Sequence, residues 1–439
     1  MKLVNTHILM LFFLNSFYGI SQQDIWSLDR CLDSARVNNL KLRIAENQQT
    51  IISEKHDEAV SGLYPKIAMV GDYRYYTNLP YQLLPLSVFG GPDGVYKETQ
   101  FGVPHVINAN VQFNMSLYNP QTYGAIEVTN TMEEIAEVQY QRTEEQLFFE
   151  ISNLFYNAVI IQYQIRFIDS NLVNAGQLLN IVTLLHEQKM VKSTDVDKIK
   201  LQVSQLELNK KNAASKQTQI LNQLKFMMGI SGQTQIVADT TLNLFQPEAV
   251  ILNETNDLKL NRLSGEVLQT ELQIIRRTRI PMVSLYGVYG TTGYGYTGDP
   301  QSFLDFYPVG YAGVQLVYPL FNGFAINQKI DQKEIEIQNN QYQQELIHKQ
   351  TSMLVDNAIL QRSIAYNLVQ SAQTQIQLGE EIYKQIKLQF EQETASLTEL
   401  LLADLAVRES QQIWINAIVD YFKADLELKK VSGNFNTKE

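Results

Sequence analysis

The placement of proline constrains this 439-residue chain more than any other feature. Ten of its eleven prolines lie between residues 65 and 120 or between 281 and 319, and fifteen of its twenty-three tyrosines sit in or beside the same windows. Gln121–Gln246 carries no proline, and none follows Pro319. Proline lacks a backbone donor and clashes with the preceding turn, so helices must stop in the windows and are free to run between them. Such alternation, twice over, is foreign to a globular domain. It describes a chain that changes solvent along its length.

The N-terminus reads as a secretory signal. Lys2 gives the positive start, Ile8–Leu14 the apolar core, and Gly19 and Ser21 the small residues before a cut, so residues 1–21 are expected to leave. That core is far shorter than the ~20 apolar residues a spanning helix needs, and no later stretch reaches that length. One cysteine, Cys31, remains after export, which excludes an intrachain disulfide. Losing Lys2 takes the formal charge from −11 to −12 (−11 − 1). This acidity disfavours nucleic acid as a partner.

The chain is written twice. Asn39-Leu40-Lys41-Leu42 recurs as Asp257-Leu258-Lys259-Leu260, and Tyr64-Pro65 as Ile280-Pro281. Val111-Gln112 with Leu117-Tyr118-Asn119 recurs as Val314-Gln315 with Leu320-Phe321-Asn322; Thr194-Asp195-Val196 as Thr398-Glu399-Leu400; Ile230-Ser231-Gly232 as Val431-Ser432-Gly433. The matches keep their order, and the one large change of spacing falls inside the proline window, where the first copy has the longer loop. The expected plan is repeat 1 over 22–230, a linker over 231–255 and repeat 2 over 256–439. Strands are expected at about 66–77, 106–117, 282–292 and 309–320. Long helices are expected at about 122–188, 195–228, 324–391 and 397–430.

Residues 106–117 alternate cleanly, with Ile107, Ala109, Val111, Phe113, Met115 and Leu117 opposite Asn108, Asn110, Gln112, Asn114 and Ser116. Period two means a strand with one apolar and one polar face. A half-buried soluble sheet has such faces too. Length and flanking tyrosines favour tilted transmembrane strands with an aromatic girdle. Four strands cannot close a barrel in lipid, since an open edge leaves backbone groups unsatisfied. Several chains must pool them.

In the first long helix Leu147, Ile151, Leu154, Ala158, Ile161, Ile165, Ile168, Leu172, Ala175, Leu179 and Val182 keep a 4,3 spacing, a coiled-coil seam. Only Gly124 and Gly176 interrupt it. At 1.5 Å per residue its ~65 residues reach roughly 100 Å. Reversal is expected at 189–194, with Ser193 or Thr194 capping the return helix, and again near 393–396.

These residues resemble the TolC-like outer-membrane efflux proteins over nearly the whole mature chain. The resemblance rests on Leu28-x-x-Cys31-Leu32-x-x-Ala35-x-x-Asn38-Asn39, on Pro65 and Pro281 opening the first strand of each half, on Leu320-Phe321-Asn322-Gly323, and on the duplication. It implies a mixed, mainly α fold: a long α-helical coiled-coil barrel in the periplasm plus a transmembrane β-barrel to which each protomer gives four strands. It also implies a homotrimer in outer-membrane lipid, a periplasmic adaptor protein, and an inner-membrane pump or ATPase reached through it. The family usually has glycine at each periplasmic turn, where this chain has Lys189 and Glu393.

No catalytic, cofactor or metal constellation is found: His7, His56, His105, His186 and His348 are scattered. Gly293-x-Gly295-x-x-Gly298 matches a dinucleotide fingerprint, but Asp299-Pro300 follows where a helix should open. The expected protein is not an enzyme. Charge gathers at the two helical tips instead, with Lys189, Lys192 and Asp195 at the first and Glu391, Glu393 and Glu399 at the second. They are solvated helix ends or a periplasmic gate in which neighbouring tips pair. The resemblance places Glu399 at an acidic ring whose second acidic position is Leu402 here. Phe390 offers a hydrophobic constriction or a packing contact. The expected function is a passive exit channel of a tripartite efflux system for small molecules. A type I protein-secretion duct and a non-conducting periplasmic coiled-coil scaffold stand as alternatives.

Overall fold

A computed structural model describes residues 25–241, 251–295 and 305–435. The leader expected over 1–21, part of the 231–255 segment and Gly298 lie outside them. The order is β1 (Ile25–Trp26), α1 (Leu28–Asn38), α2 (Leu40–Ser61), β2 (Lys66–Tyr75), β3 (Tyr81–Pro85), a short 3-10 turn (Leu86–Phe89), β4 (Tyr96–Gln100), β5 (His105–Tyr118), α3 (Pro120–Glu187) and α4 (Ser193–Met228). Then come β6 (Val237–Ala238), α5 (Asn256–Arg277), β7 (Met282–Gly295), β8 (Asp305–Val317), α6 (Ala325–Glu391) and α7 (Leu397–Val431). They form two units, one of residues Asn47–Val138 and Leu260–Glu345, the other of the remaining segments.

The first unit holds an antiparallel sheet in the order β2-β5-β7-β8. Pairing keeps the alternation in phase across the strands up to Ser116, where the β5–β7 register shifts at a bulge. The row Asp72–Asn108–Thr292–Tyr307 therefore shares one face, with Asn110, Gln112 and Asn114 beside it. Asn108 Nδ2 donates to both Asp72 oxygens at 3.2 Å, Thr292 Oγ1 donates to Asn108 Oδ1 at 2.9 Å, and Arg74 pairs with Asp72 at 2.8 Å. The opposite face is apolar and bare, with Ile67, Met69, Val111, Tyr289, Val314 and Leu316 all exposed, Met69 to 80%.

Aromatic rings lie over glycines directly across β7–β8: Tyr286 over Gly313, Tyr289 over Gly310 and Phe306 over Gly293. Gly290 serves a different need, since a Cβ there would sit 2.3 Å from the Ala109 carbonyl oxygen of β5.

Strand ends shift from expectation for backbone reasons. β2 stops at Tyr75 rather than 77, where the Tyr76 N–H turns to the Pro104 carbonyl at 2.8 Å. β8 covers Asp305–Val317 rather than 309–320, because Pro319 has no N–H to continue it. Pro308 lies inside β8, which within this chain pairs with β7 alone. The β3–β4 hairpin was not foreseen: Pro80, Pro85 and Pro92 read as loop, yet Tyr81–Pro85 pairs with Tyr96–Gln100. Gly293 and Gly295 lie in β7, a strand, so the fingerprint has no helix to open.

In the same unit α5 packs on the first turns of α3 and α6. Lys333–Glu271 (2.8 Å) and Arg276–Glu334 (2.7 Å) tie it to α6. Gly124 leaves α3 unbroken and lets Ile274 lie where a side chain would otherwise stand.

The second unit is helical. α3 runs 68 residues and its 4,3 seam is inside: Leu147, Ile151, Ala158, Ile161, Ile168, Ala175 and Val182 are all buried. Around its upper half Cys31, Ala35, Leu42, Leu224 and Met228 complete a core. Burial pushes the Cys31 thiol up to about 12, so it stays an inert hydrophobe. Part of the expected linker is structured: Val237–Ala238 pairs in parallel with Ile25–Trp26. Beside that core, Tyr156 stacks on Phe422 at 3.9 Å, and farther along α3 Trp414 stands edge-on to Tyr163 and Phe167.

Candidate functional site

The tips of the two helical hairpins are built alike. α3 ends with the Lys189 N–H on the His186 carbonyl and the Met190 N–H on the Leu185 carbonyl, both at 2.8 Å. α6 ends with the Glu393 N–H on the Phe390 carbonyl at 3.0 Å and the Thr394 N–H on the Gln389 carbonyl at 2.8 Å. This is the Schellman arrangement, which requires a left-handed residue after the last helical one. Lys189 supplies it at φ 63° and Glu393 at φ 61°. These are two of the three non-glycine residues with positive φ among the described residues. A side chain there costs about 1–2 kcal/mol relative to ordinary backbone. Both turns thus carry strain that glycine would remove.

The return helices are capped differently. The expectation that Ser193 or Thr194 caps α4 is corrected: the N-cap is Lys192, with no side-chain bond, and Ser193 is already helical. Asp195 in the first turn instead pairs with Lys198 at 3.0 Å. That ion pair, helped by the Lys192 N–H, holds its carboxyl below the usual range. α7 opens with a full capping box. The Glu399 N–H donates to Ser396 Oγ at 3.3 Å, and the Ser396 N–H and hydroxyl donate to Glu399 Oε2 at 2.7 and 2.9 Å. The Ser396 N–H above all lowers the Glu399 pKa. Glu399 therefore holds its own helix end and keeps Oε1 for other contacts.

The tips share a small core of Leu178, Val182, Val196, Ile199 and Leu400, against which Phe390, Leu397 and Leu401 pack. Phe390 is half-buried there and acts within the chain as a packing residue. Lys189, Lys192, Glu391 and Glu393 are exposed, and among the described residues no ion pair or hydrogen bond joins their side chains to one another. The structure brings Asp195 to Lys198 and Glu399 to Ser396; it leaves the other charged tip residues facing solvent.

Two turns above the tips lie polar contacts that sequence reasoning missed. Asp404, buried on α7, accepts from Gln202 of α4 at 2.6 Å and forms an ion pair with Arg408 at 2.9 Å. Burial pushes its carboxyl above the usual range despite those partners. Gln411, also buried, accepts from Asn171 of α3 at 2.8 Å. Farther along, Arg362 pairs with Asp425 at 2.8 Å between α6 and α7. Their signal was available: Leu400, Asp404, Val407, Gln411, Ile418 and Asp425 follow the buried stripe of α7, so polar residues occupy apolar places. A polar cleft of about 450 Å³ opens between α3, α4 and α7 beside Asn171, Lys216 and Arg408. No cluster of potential metal ligands occurs among the described residues, and no described helix is long and apolar enough to cross a membrane.

No family model matches the chain. Its sequence relatives include the outer membrane protein TolC of Escherichia coli (strain K12), 18% identical over 441 residues, which cover 97% of this chain and 85% of TolC. TolC of Salmonella enteritidis is 18% identical over 439 residues with the same coverage. Among solved structures, the outer membrane protein VceC of Vibrio cholerae matches with a TM-score of 0.74 at 13% identity, over 92% of this chain and 96% of VceC. CusC, whose structures describe transmembrane channel formation, gives 0.76 at 14% over 92% of each chain. The open-state MtrE outer membrane channel of Neisseria gonorrhoeae gives 0.71 at 14% over 92% and 88%. At such identities the likeness is one of fold, and it spans both the sheet and the helices.

Proposed function

Because this chain is TolC-like in sequence and has the fold of the outer membrane channels it superposes on, we propose that it is an exit duct of the outer membrane with its helices in the periplasm. One observation carries the reading. The sheet has four strands, two bare edges (β2 and β8), one exposed apolar face and one hydrogen-bonded polar face. Lipid suits the apolar face and water the polar one. The edges are satisfied only by other copies, because lipid offers no hydrogen bonds. Three copies pool twelve strands, an even number within the range of bacterial barrels.

The helices support the same assembly. Ile335, Tyr342, Leu346, Met353, Leu360 and Ile364 of α6 are each more than half exposed and repeat at spacings of seven and four. A neighbouring helix of another copy covers such a seam in a coiled-coil tube. The duct is passive and draws its energy from an inner-membrane pump through a periplasmic adaptor, with small molecules as cargo. The duplicated halves each give two strands and one helical hairpin. At the periplasmic end Lys189 and Lys192 of one tip face Glu391 and Glu393 of the next copy's tip, with Glu399 behind them as a single acidic ring and Leu402 beside it.

Gel analysis of the detergent-extracted protein, with and without heating, followed by planar-bilayer recording tests this. A heat-collapsible oligomer of three chains that conducts ions is expected. A monomer at every temperature, or an oligomer without conductance, leaves the scaffold reading in its place.

A further inference from the structure

The β3–β4 hairpin stands apart from the four-stranded sheet. It occupies the 76–104 connection between β2 and β5, 29 residues holding only three charged side chains, Asp93, Lys97 and Glu98. Tyr81, Leu83 and Pro85 share a face with Tyr96, Glu98 and Gln100, and Tyr81, Leu83 and Tyr96 are each more than 60% exposed, so the apolar surface is mixed along the strands and unbroken only toward the tip. The tip is a built feature. Leu86 N–H donates to the Val95 carbonyl at 2.8 Å and Gly91 N–H to the Leu86 carbonyl at 2.9 Å. It presents Val88 at 70% and Phe89 at 73% exposure. A two-stranded hairpin is marginal alone in water, and a bare apolar surface of this kind marks a contact.

We propose that the occupant of this surface is the same hairpin of the two other copies, so that three tips meet near the barrel axis and narrow its outer mouth. The inference rests on the trimeric-barrel reading. Two observations select this occupant. The hairpin grows from β2, the edge strand at the seam between copies, so its root already lies against a neighbour. Its length also fits. Twelve strands ~4.8 Å apart and tilted ~40° enclose a barrel of radius ~12 Å, while the five residues of β3 extend ~17 Å. A hairpin leaning inward therefore brings Val88 and Phe89 to the axis, where an apolar ring narrows the water-filled path and lowers conductance without abolishing it. This outer constriction is separate from the charged tips at the periplasmic end.

Two full-length variants test it. Phe89→Cys is expected to give disulfide-linked dimers on non-reducing denaturing gels after mild oxidation, whereas the parent, with Cys31 buried, gives none. The double substitution Val88→Asp with Phe89→Asp is expected to raise single-channel conductance roughly twofold, because three pairs of like charges repel and wet the mouth. Conductance equal to the parent in the charged variant overturns the proposal. So does a Phe89→Cys chain that stays monomeric, or that links to a foreign surface protein rather than to its own copies. A parent protein that forms no channel at all fails the barrel reading and this inference with it. A conducting parent with unchanged variants fails the inference alone.

Discussion

Replacing Lys189 or Glu393 by glycine should tighten the hairpin tips. Both residues hold left-handed backbone, at φ 63° and 61°, in otherwise identical Schellman turns. Relieving a Cβ there returns about 1–2 kcal/mol. Glycine gives back about 0.4–1 kcal/mol by loosening the unfolded chain. The net gain is about 0.5–1 kcal/mol per turn, or ~2–5-fold in the local opening equilibrium at 1.36 kcal/mol per decade. Amide hydrogen exchange reads this directly, because the Met190 and Thr394 N–H groups bond across the turns to Leu185 and Gln389. Lys189→Gly should slow exchange at Met190, and Glu393→Gly at Thr394, by that factor. Lys189→Ala and Glu393→Ala remove the same charge but keep the Cβ, so they should leave exchange nearly unchanged. If the alanine and glycine variants behave alike, backbone strain is not what distinguishes these turns, and the reasoning fails.

Reversing Glu391 and Glu393 to lysine should raise closed-state conductance in planar bilayers; an unchanged closed state would remove the pairing of neighbouring tips from the mechanism. Gly290→Ala forces a Cβ to within 2.3 Å of the β5 backbone, whereas at Gly71 the nearest atom lies at an ordinary 3.8 Å. The first should abolish the heat-resistant oligomer and Gly71→Ala should not, as judged on unheated gels. The Glu399 carboxyl is held below its ordinary value of 4.5, so its cap on α7 is complete above that pH and is lost as pH falls through the lowered value. Protection factors at the first amides of α7, which remove the intrinsic pH dependence of exchange, should therefore fall under acid, and Glu399→Gln should flatten that dependence. Asp404 carries the opposite sign: its raised carboxyl penalises the folded state at neutral pH and is relieved as pH falls toward 3.8. Asp404→Asn, which keeps an acceptor for Gln202, should stabilise the α4–α7 contact at pH 7 relative to pH 3 in thermal melts.

How much was legible depends on how local each decision is. Proline placement and period-two alternation marked the membrane-length strands, and the 4,3 seam of α3 marked the residues that are buried, because each is a pattern repeated many times over. The β3–β4 hairpin escaped, since its prolines sit at strand ends where they are permitted but read as loop. The α4 cap escaped too: both Ser193 and Thr194 are good caps by type, and only the course of the backbone puts Lys192 at that position. Of the candidate tip residues, their grouping at two turns was readable. That Glu399 is tied to Ser396 was not, and for Phe390 the packing contact stood in the sequence only as one of two readings.

The sequence by itself determined what is additive along the chain: where helices may run, which strand face is apolar, and that four strands are too few to close. These follow from backbone chemistry and side-chain period alone. Tertiary structure decided what depends on partners distant in sequence: that β5 meets β7 through the Gly290 gap, that Asp404 finds Gln202 two hundred residues away, and that an apolar hairpin stands uncovered beside an edge strand. Those choices rest on packing distances of tenths of an ångström, which a one-dimensional pattern does not carry.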